Sequence, residues 1–140
     1  MPAVHRWSLA ALCVALAAAK VAAQPALPPV QQSGEIRYVT GGIGLDESSA
    51  MRAAAPQYNL RLTFAAVSGE YLAGARVVLR DAQGRALLET SSEGPYLFFR
   101  LPSGKYQVSA ENAGETITRP VQVRDKQASE LIFRWKVAAE

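Results

Sequence analysis

Histidine and cysteine are almost missing from this chain: its 140 residues include one His and one Cys. His5 and Cys13 both lie near the N-terminus, in a stretch that has the pattern of a cleaved export signal. The mature chain therefore cannot build a Ser-His-Asp triad, a thiol nucleophile, a zinc-finger cluster or a disulfide. Because general acid–base catalysis near neutral pH most often uses His, the composition predicts a protein that is not an enzyme.

The net positive charge is also small when the residues of the predicted signal are excluded. The formal net charge of +3 comes from 15 Lys and Arg against 12 Asp and Glu, and it includes Arg6 and Lys20 of the signal. Without those two, the mature chain carries a net charge of +1 and shows no basic stripe. Nucleic-acid binding is therefore not expected.

The N-terminus has the three parts of a Sec-type signal peptide. Arg6 supplies the positive end, an uncharged run rich in Ala and Leu covers residues 7–19, and small residues at 21–23 form a cleavage site. The run is shorter than the roughly 20 apolar residues that a transmembrane helix needs. A secreted eukaryotic domain of this size would more often carry disulfides. We therefore predict cleavage between Ala23 and Gln24, and a periplasmic or secreted bacterial protein with no transmembrane anchor.

The chain after the signal is predicted to hold one folded domain. Residues 24–34 contain three prolines and no charge, which is typical of an extended linker. Residues 35–137 are too few for two hydrophobic cores, so they are expected to form a single domain.

The pattern within this domain is one of short strands separated by turns. Apolar and polar residues alternate over 58–64, and Asp81–Gly84 has the composition of a tight turn. One helix is predicted at about 46–55, with Asp46 as its N-cap and Pro56 at its end. The strand segments recur at intervals of about 8–12 residues. This spacing predicts a mainly β fold, an antiparallel Ig-like or transthyretin-like β-sandwich of about seven strands with one short N-terminal helix.

The alternation also predicts which side chains share the core. Trp135 continues an alternating series and is expected to be buried. Eight further residues are expected to be buried together: Leu62, Val77, Leu79, Tyr106, Val108, Val123, Leu131 and Phe133.

Three spaced motifs resemble the carboxypeptidase regulatory-like domain, a small transthyretin-like β-sandwich, over about residues 75–135. The motifs are Gly74-x-x-Val77-x-Leu79-x-Asp81-x-x-Gly84, Ser91-Ser92-Glu93-Gly94-x-Tyr96-x-Phe98 and Leu101-Pro102-x-Gly104-x-Tyr106-x-Val108. The resemblance implies a sandwich module of a kind found in small exported bacterial proteins. The enzymes known with transthyretin-like folds depend on His, which the mature chain lacks.

Five residues of these motifs have predicted structural roles. Tyr106 resembles a tyrosine corner, with its ring in the core and its hydroxyl on nearby backbone. Gly104, two residues earlier, is expected to adopt a left-handed conformation. Gly84 and Gly94 are interpreted as turn glycines, and Pro102 belongs to the same strand entry as Gly104.

Two aromatic residues are candidates for a partner surface. Tyr71 lies in a predicted loop. The family spacing points Tyr96, Phe98 and Leu101 inward, which strict alternation allows only with a bend or bulge near position 99. Phe99 would then face solvent, and we predict that it contributes to partner binding together with Tyr71.

No catalytic, cofactor-binding or metal-binding residues are predicted. The glycine loop at residues 41–44 has neither Rossmann spacing nor a Walker lysine, and a tight turn under the helix is the preferred interpretation. The acidic residues near turns form no D-x-D-x-D-G calcium loop; they are Asp46, Glu47, Glu70, Asp81, Glu93 and Asp125.

The composition and the resemblance together favour an exported, non-catalytic sandwich with a binding or structural role at the cell envelope. The predicted partner is another envelope protein, and a long open edge strand would support this. The first alternative is a carbohydrate-binding module, which a coplanar strip of exposed aromatics would support. The second is a small carboxylate-dependent hydrolase, which a pocket with converging acids would support.

Overall fold

The computed structural model describes residues 27–137. The predicted signal peptide, its cleavage site and linker residues 24–26 therefore lie outside the described residues. The nine strands of the described part are β1 (Gln31–Ser33), β2 (Ile36–Gly41), β3 (Leu60–Ala66), β4 (Arg76–Asp81), β5 (Ala86–Ser91), β6 (Tyr96–Arg100), β7 (Gly104–Asn112), β8 (Glu115–Val123) and β9 (Ser129–Trp135). Helix α1 (Leu45–Ala54) continues into one 3₁₀ turn (Ala55–Gln57) between β2 and β3.

The strands form two sheets. One has five strands in the order β1-β2-β6-β3-β9, and the other has four in the order β5-β4-β7-β8. All pairs are antiparallel except β3 with β9, which run parallel. The mainly β sandwich with one short helix is thus confirmed, with nine strands where about seven were expected and with one parallel pair among antiparallel ones.

The first strand begins inside the predicted linker. Gln31 pairs with Tyr38 and Ser33 pairs with Ile36, so β1 and β2 form a short hairpin. Gly34 sits in its turn with a φ of 57°, a conformation that glycine adopts without steric cost. The linker predicted to end at residue 34 is therefore partly folded, because its last residues gain backbone hydrogen bonds from β2.

The main core lies between the two sheets. Six of the eight predicted core residues are buried in it, and Tyr106 and Leu131 are partly buried against it. Trp135 is buried as expected, and its Nε1–H donates to the Glu115 carbonyl oxygen at 3.0 Å. The alternation of β3, β4, β7, β8 and β9 thus identified their inward faces correctly.

A second apolar cluster lies on the outer face of the five-stranded sheet, where α1 covers β2 and β6. Its buried members are Val39, Met51, Ala54, Tyr58, Tyr96 and Phe98. The helix spans the predicted range to within one residue. Its N-cap is Gly44, with no side-chain cap, so the expected capping by Asp46 is wrong and Asp46 lies in the first turn.

The glycine loop before α1 is a tightly packed turn, as the sequence predicted. The Gly42 N–H donates to Glu47 Oε1 at 2.8 Å, which ties the loop to the first turn of the helix. A side chain on Gly42 would contact the ring of Tyr96, and one on Gly94 would collide with the carbonyl of Gly41. The absence of side chains therefore lets this loop pack against the β5–β6 connection.

Asn59 links three segments at one end of the sandwich. Its Nδ2 donates to the carbonyl oxygens of Leu101 at 2.8 Å and Arg124 at 3.2 Å, and its Oδ1 accepts from the Leu101 N–H at 2.8 Å. Its backbone carbonyl also accepts from the Ser129 N–H at 2.9 Å. The residue is 2% exposed, and its two hydrogen bonds with Leu101 are buried. Asn59 thus positions the start of β9 beside β3.

Candidate functional site: an open strand edge beside a groove

The two aromatics predicted to form a partner surface have opposite environments. Tyr71 is 64% exposed and forms an isolated antiparallel bridge with Ala65. Phe99 is fully buried in the main core, with its ring centroid 6.0 Å from that of Tyr38. The prediction that Phe99 faces a partner is therefore wrong.

The position of β6 explains this error. The strand lies between β2 and β3 in regular antiparallel register, so no bulge is needed near Phe99. Leu97 and Phe99 face the main core, while Tyr96 and Phe98 face the outer cluster beneath α1. Both faces of β6 are buried, and alternation within the strand therefore gave no sign of which face was inward.

A groove runs along the outer face of the five-stranded sheet where α1 leaves β3 and β9 uncovered. It has a volume of about 300 Å³. We call it the helix-side groove, and it is lined by Arg52, Ala55, Arg61, Thr63, Tyr71, Tyr96, Phe98, Glu130 and Ile132. On its floor the Arg61 Nη1 contacts Glu130 Oε1 at 3.1 Å. Ile132, 44% exposed, borders it on β9.

Tyr71 closes one part of this groove beside Tyr96. The two ring centroids are 6.0 Å apart with the rings tilted by 52°. Hydrogen bonding with the Tyr96 hydroxyl raises the pKa of Tyr71, and repulsion from Tyr96 adds to this, while the nearby Arg52 acts in the opposite direction. Tyr71 is thus an uncharged phenol at neutral pH, and it presents its ring to solvent.

The outermost strand β9 borders the groove, and its own outer edge is open. The Ser129 N–H donates to Asn59 O at 2.9 Å, and the Trp135 carbonyl accepts from the Val67 N–H at 2.8 Å. In a parallel pair every second residue bonds to the neighbouring strand. The intervening residues Glu130, Ile132 and Arg134 therefore point their N–H and C=O groups away from β3, and no strand of residues 27–137 lies beyond them.

The other outer strands offer poorer edges. Strand β1 is three residues long. Strand β8 contains Pro120, which has no N–H, and two of its carbonyls already accept hydrogen bonds from the side chains of β9 residues Trp135 and Ser129. Strand β5 pairs with β4 through an irregular register between Leu79 and Arg80. Short strands, proline, bulges and charged side chains are devices that protect edges from pairing. Strand β9 has none of the first three, and its charged residues Glu130 and Arg134 are of opposite sign.

A second cavity, on the outer face of the four-stranded sheet, is polar. It has a volume of about 390 Å³, and three of its four charged side chains, Arg76, Arg80 and Glu89, have a polar partner. Arg76 Nη2 contacts Glu89 Oε1 at 2.7 Å, and Arg80 Nη1 donates to Ser109 Oγ at 3.3 Å. This face is therefore a solvated surface. Among residues 27–137, no three His, Cys, Asp or Glu side chains come close enough to hold a metal ion together.

Three of the five structural residues occupy the positions that the motifs indicated. The Tyr106 hydroxyl donates to the Pro102 carbonyl oxygen at 2.7 Å, which is the expected tyrosine corner. Burial raises the pKa of Tyr106, and the nearby Glu35 adds to this. Gly84 has a φ of 83° in a turn where its N–H donates to the Asp81 carbonyl oxygen at 3.0 Å.

The other two glycines serve different purposes from those predicted. Gly104 is not among the residues with positive φ. It lies beneath the ring of Tyr106, and a Cβ there would be 3.6 Å from the ring. Gly94 also lacks a positive φ, and it is required by the close approach to Gly41. At Gly94 the glycine reflects a tertiary contact that the sequence spacing did not reveal. At Gly104 a Cβ would make an ordinary van der Waals contact with a residue two positions away, so nothing among residues 27–137 requires glycine there.

The residues of the open edge were missed as functional candidates. In the alternation of β9, Leu131, Phe133 and Trp135 lie on one face, and an isoleucine lies among charged residues on the other. A single exposed apolar residue is common on protein surfaces, so the sequence by itself did not indicate a contact surface here.

No protein-family model matches the chain, and no curated protein shows significant sequence similarity to it. Solved structures with a similar backbone include the Bacillus anthracis TIE protein, at 19% identity and a TM-score of 0.44, over 55% of this chain and 16% of that chain. BcpA, the major pilin subunit of Bacillus cereus, is similar at 17% identity and a TM-score of 0.38, over 55% of this chain and 29% of that chain. This chain thus spans less than a third of either protein, and likeness at these TM-scores says nothing about its function.

Proposed function

We propose that the protein is an exported, non-catalytic β-sandwich that binds another protein at the bacterial cell envelope, and that the partner adds a strand to the edge of β9. The observation that carries this proposal is the row of outward backbone groups on Glu130, Ile132 and Arg134. An extended partner segment can bond to these groups, and adjacent side chains then provide specificity.

The surroundings of β9 suit a protein partner. The exposed side chain of Ile132 lies beside the helix-side groove, and Tyr71 supplies an exposed aromatic surface on the same face. Tyrosine is enriched at protein interfaces because it combines a large apolar ring with a polar tip. Among residues 27–137, Tyr71 is the one aromatic with a strongly exposed side chain, so the described surface carries no aromatic strip of the kind expected for a carbohydrate-binding module.

The proposed location rests on the N-terminal sequence. Its positive end, apolar run and small residues predict export and cleavage before Gln24. None of the helices in residues 27–137 is long and apolar enough to cross a bilayer. The relation to carboxypeptidase regulatory-like domains is part of the same proposal, and it is supported by the tyrosine corner at Tyr106 and the turn that ends at Gly84.

The test compares Ile132→Pro with Ile132→Ala in the mature protein. Proline at position 132 removes the N–H that points away from β3. Because that N–H forms no hydrogen bond with β3, the substitution leaves the hydrogen bonds between β3 and β9 intact. Proline is tolerated at edge positions of this kind. Each protein is used to capture partners from an envelope extract, with circular dichroism as the check on folding. Capture should be lost with Ile132→Pro and kept, at reduced affinity, with Ile132→Ala.

Hydrogen exchange supplies a second readout that does not depend on the proline variant. Upon partner binding, the backbone amides of Glu130, Ile132 and Arg134 in the unmodified protein should become protected. Equal capture by a folded Ile132→Pro variant, or unchanged exchange at these three amides in the captured complex, would refute strand addition at β9.

A further inference from the structure

The outward residues of β9 form a pattern that is complementary to itself. Ile132 is the midpoint of the strand Ser129–Trp135, and Glu130 and Arg134 lie two residues before and after it. Their side chains share the outer face of the sheet, because strand residues two apart point the same way. The three residues thus present an apolar group at the centre, with an acidic group and a basic group at equal distances on either side.

This order fits a second copy of the same strand. In an antiparallel pair with its two-fold axis at Ile132, each Glu130 lies opposite Arg134 of the second copy, and the two Ile132 side chains meet at the axis. We propose that the partner strand is β9 of a second copy, so that the protein forms a two-fold symmetric dimer through this edge. The inference rests on the proposed strand addition at β9, and it assigns that edge to a second copy in place of an unlike envelope protein.

The backbone supports the same register. Residues directly opposite each other in an antiparallel pair alternate between those that exchange both hydrogen bonds and those that exchange none. Glu130, Ile132 and Arg134 carry the outward N–H and C=O groups, and the axis at Ile132 places all three in bonded pairs. The dimer would gain about six backbone hydrogen bonds. Every residue of the strand would be covered, since Ser129 lies opposite Trp135 of the second copy.

Other arrangements of two β9 strands are less favourable. A parallel pair in register places Glu130 opposite Glu130 and Arg134 opposite Arg134, and like charges directly opposite are destabilising. An antiparallel pair shifted by two residues places Ile132 opposite a charged residue. In an antiparallel register that places even-numbered residues opposite odd-numbered ones, the outward backbone groups of one copy face residues of the other copy whose N–H and C=O groups already bond to β3. These groups then cannot form hydrogen bonds across the pair. Charge, packing and hydrogen bonding thus agree on the single register centred on Ile132.

The charges at this edge are available for such pairing. The Glu130 side chain is 68% exposed, and its Oε1 contacts Arg61 of the neighbouring strand β3. Arg134 is exposed, and it belongs to none of the ion pairs found among residues 27–137. In the dimer, Glu130 would lie between Arg61 of its own chain and Arg134 of the second copy. The pairing would therefore give Arg134 an acidic neighbour and join two five-stranded sheets into one continuous sheet.

The test measures dimerisation by sedimentation velocity over a range of concentrations of the mature protein. Glu130→Arg and Arg134→Glu each bring two pairs of like charges together across the axis, so each variant should raise the dimer Kd at least about tenfold. An equimolar mixture of the two variants restores opposite charges at both contacts, and it should form a heterodimer with a Kd close to that of the unmodified protein. Lys105→Glu, a charge reversal on exposed β7 in the other sheet, should leave the dimer Kd unchanged.

A second measurement covers the case in which a variant fails to fold. In the unmodified protein, the Ile132 amide should become more protected from hydrogen exchange as concentration rises through the dimer Kd. The inference is overturned if the protein stays monomeric at millimolar concentration, or if neither charge reversal weakens the dimer, or if the mixture shows no recovery. A monomer that still captures an envelope protein, with capture lost in Ile132→Pro, would refute the second copy as occupant and leave the proposed function standing.

Discussion

Replacement of Asn59 by alanine is expected to destabilise the domain more than its size suggests. The side chain forms three hydrogen bonds, two with the backbone of Leu101 and one with the carbonyl of Arg124. Leu101 is 3% exposed, so water cannot readily replace its two lost partners. Arg124 is exposed and can bond to water instead.

The magnitude follows from the two Leu101 groups. A buried donor or acceptor that loses its partner costs about 1–3 kcal/mol, so the two groups together should lower the free energy of unfolding of Asn59→Ala by about 2–6 kcal/mol. Domains of this size have a total stability of about 5–15 kcal/mol. The substitution should thus remove a large fraction of the stability, and it should loosen the start of β9 because Ser129 bonds to the Asn59 carbonyl.

The assay is equilibrium unfolding in urea, with the m-value compared between proteins to verify that both unfold from the same compact state. Gln107→Ala, an exposed amide on β7, serves as the matched control and should change stability by less than about 0.5 kcal/mol. If Asn59→Ala falls within the same range as this control, the hydrogen bonds of Asn59 do not stabilise the fold, and the reasoning is refuted.

A companion variant, Asn59→Asp, tests the same site through pH. The carboxylate keeps the acceptor for the Leu101 N–H but faces two carbonyl oxygens, which disfavour its charged form and raise its folded pKa above the unfolded value. Stability relative to the unmodified protein should therefore be greatest below the unfolded pKa and fall as pH rises through the folded pKa. A difference in stability that does not change between pH 4 and pH 7 would contradict this.

Four other outcomes are expected. Leu62→Ala removes a fully buried side chain and should cost about 2–5 kcal/mol in urea unfolding, and a change below about 0.5 kcal/mol would mean that the inward face of β3 is misassigned. Gly94→Ala should cost about 1–3 kcal/mol through overpacking, and an unchanged melting temperature would contradict the close approach of the two loops. Tyr106→Phe should cost about 1 kcal/mol at neutral pH. Since burial raises the Tyr106 pKa, the unmodified protein should also lose stability as pH rises through that pKa, and Tyr106→Phe should lack this loss; equal alkaline profiles would refute the assignment. N-terminal sequencing of the exported protein should begin at Gln24, and a cytoplasmic protein that retains Met1 would disprove export.

The turns and strand faces could be predicted because they depend on local chemistry. Asp81 accepts hydrogen bonds from the backbone N–H groups of Gln83 and Arg85 at 2.9 Å, and Gly84 takes the positive φ that this turn requires. The hydrogen-bond acceptor and the positive φ are supplied by residues only a few positions apart in the sequence. The same holds for β9, where the alternation that ends at Trp135 indicated its buried face.

Phe99 shows where such local reasoning fails. Alternation distinguishes a buried face from a solvated one, but both faces of β6 are covered, one by the opposite sheet and the other by α1. Whether a helix covers the strand depends on how β2, α1 and β3 are connected in space. Gly94 is a similar case, since the neighbour that requires a glycine there is 53 residues away in the chain.

Composition and alternation by themselves determined the mainly β class, the position of the helix, most of the core and the lack of His and Cys after the predicted signal, because each depends on residue type or on neighbours within a few positions. Strand order was decided only by the tertiary structure. The parallel pairing of β3 with β9 joins segments about 70 residues apart, and it makes β9 the outermost strand of its sheet. The same few residues, Glu130, Ile132 and Arg134, would be an ordinary polar face in a central strand, and it is their place at the edge that leaves their backbone groups open to a partner.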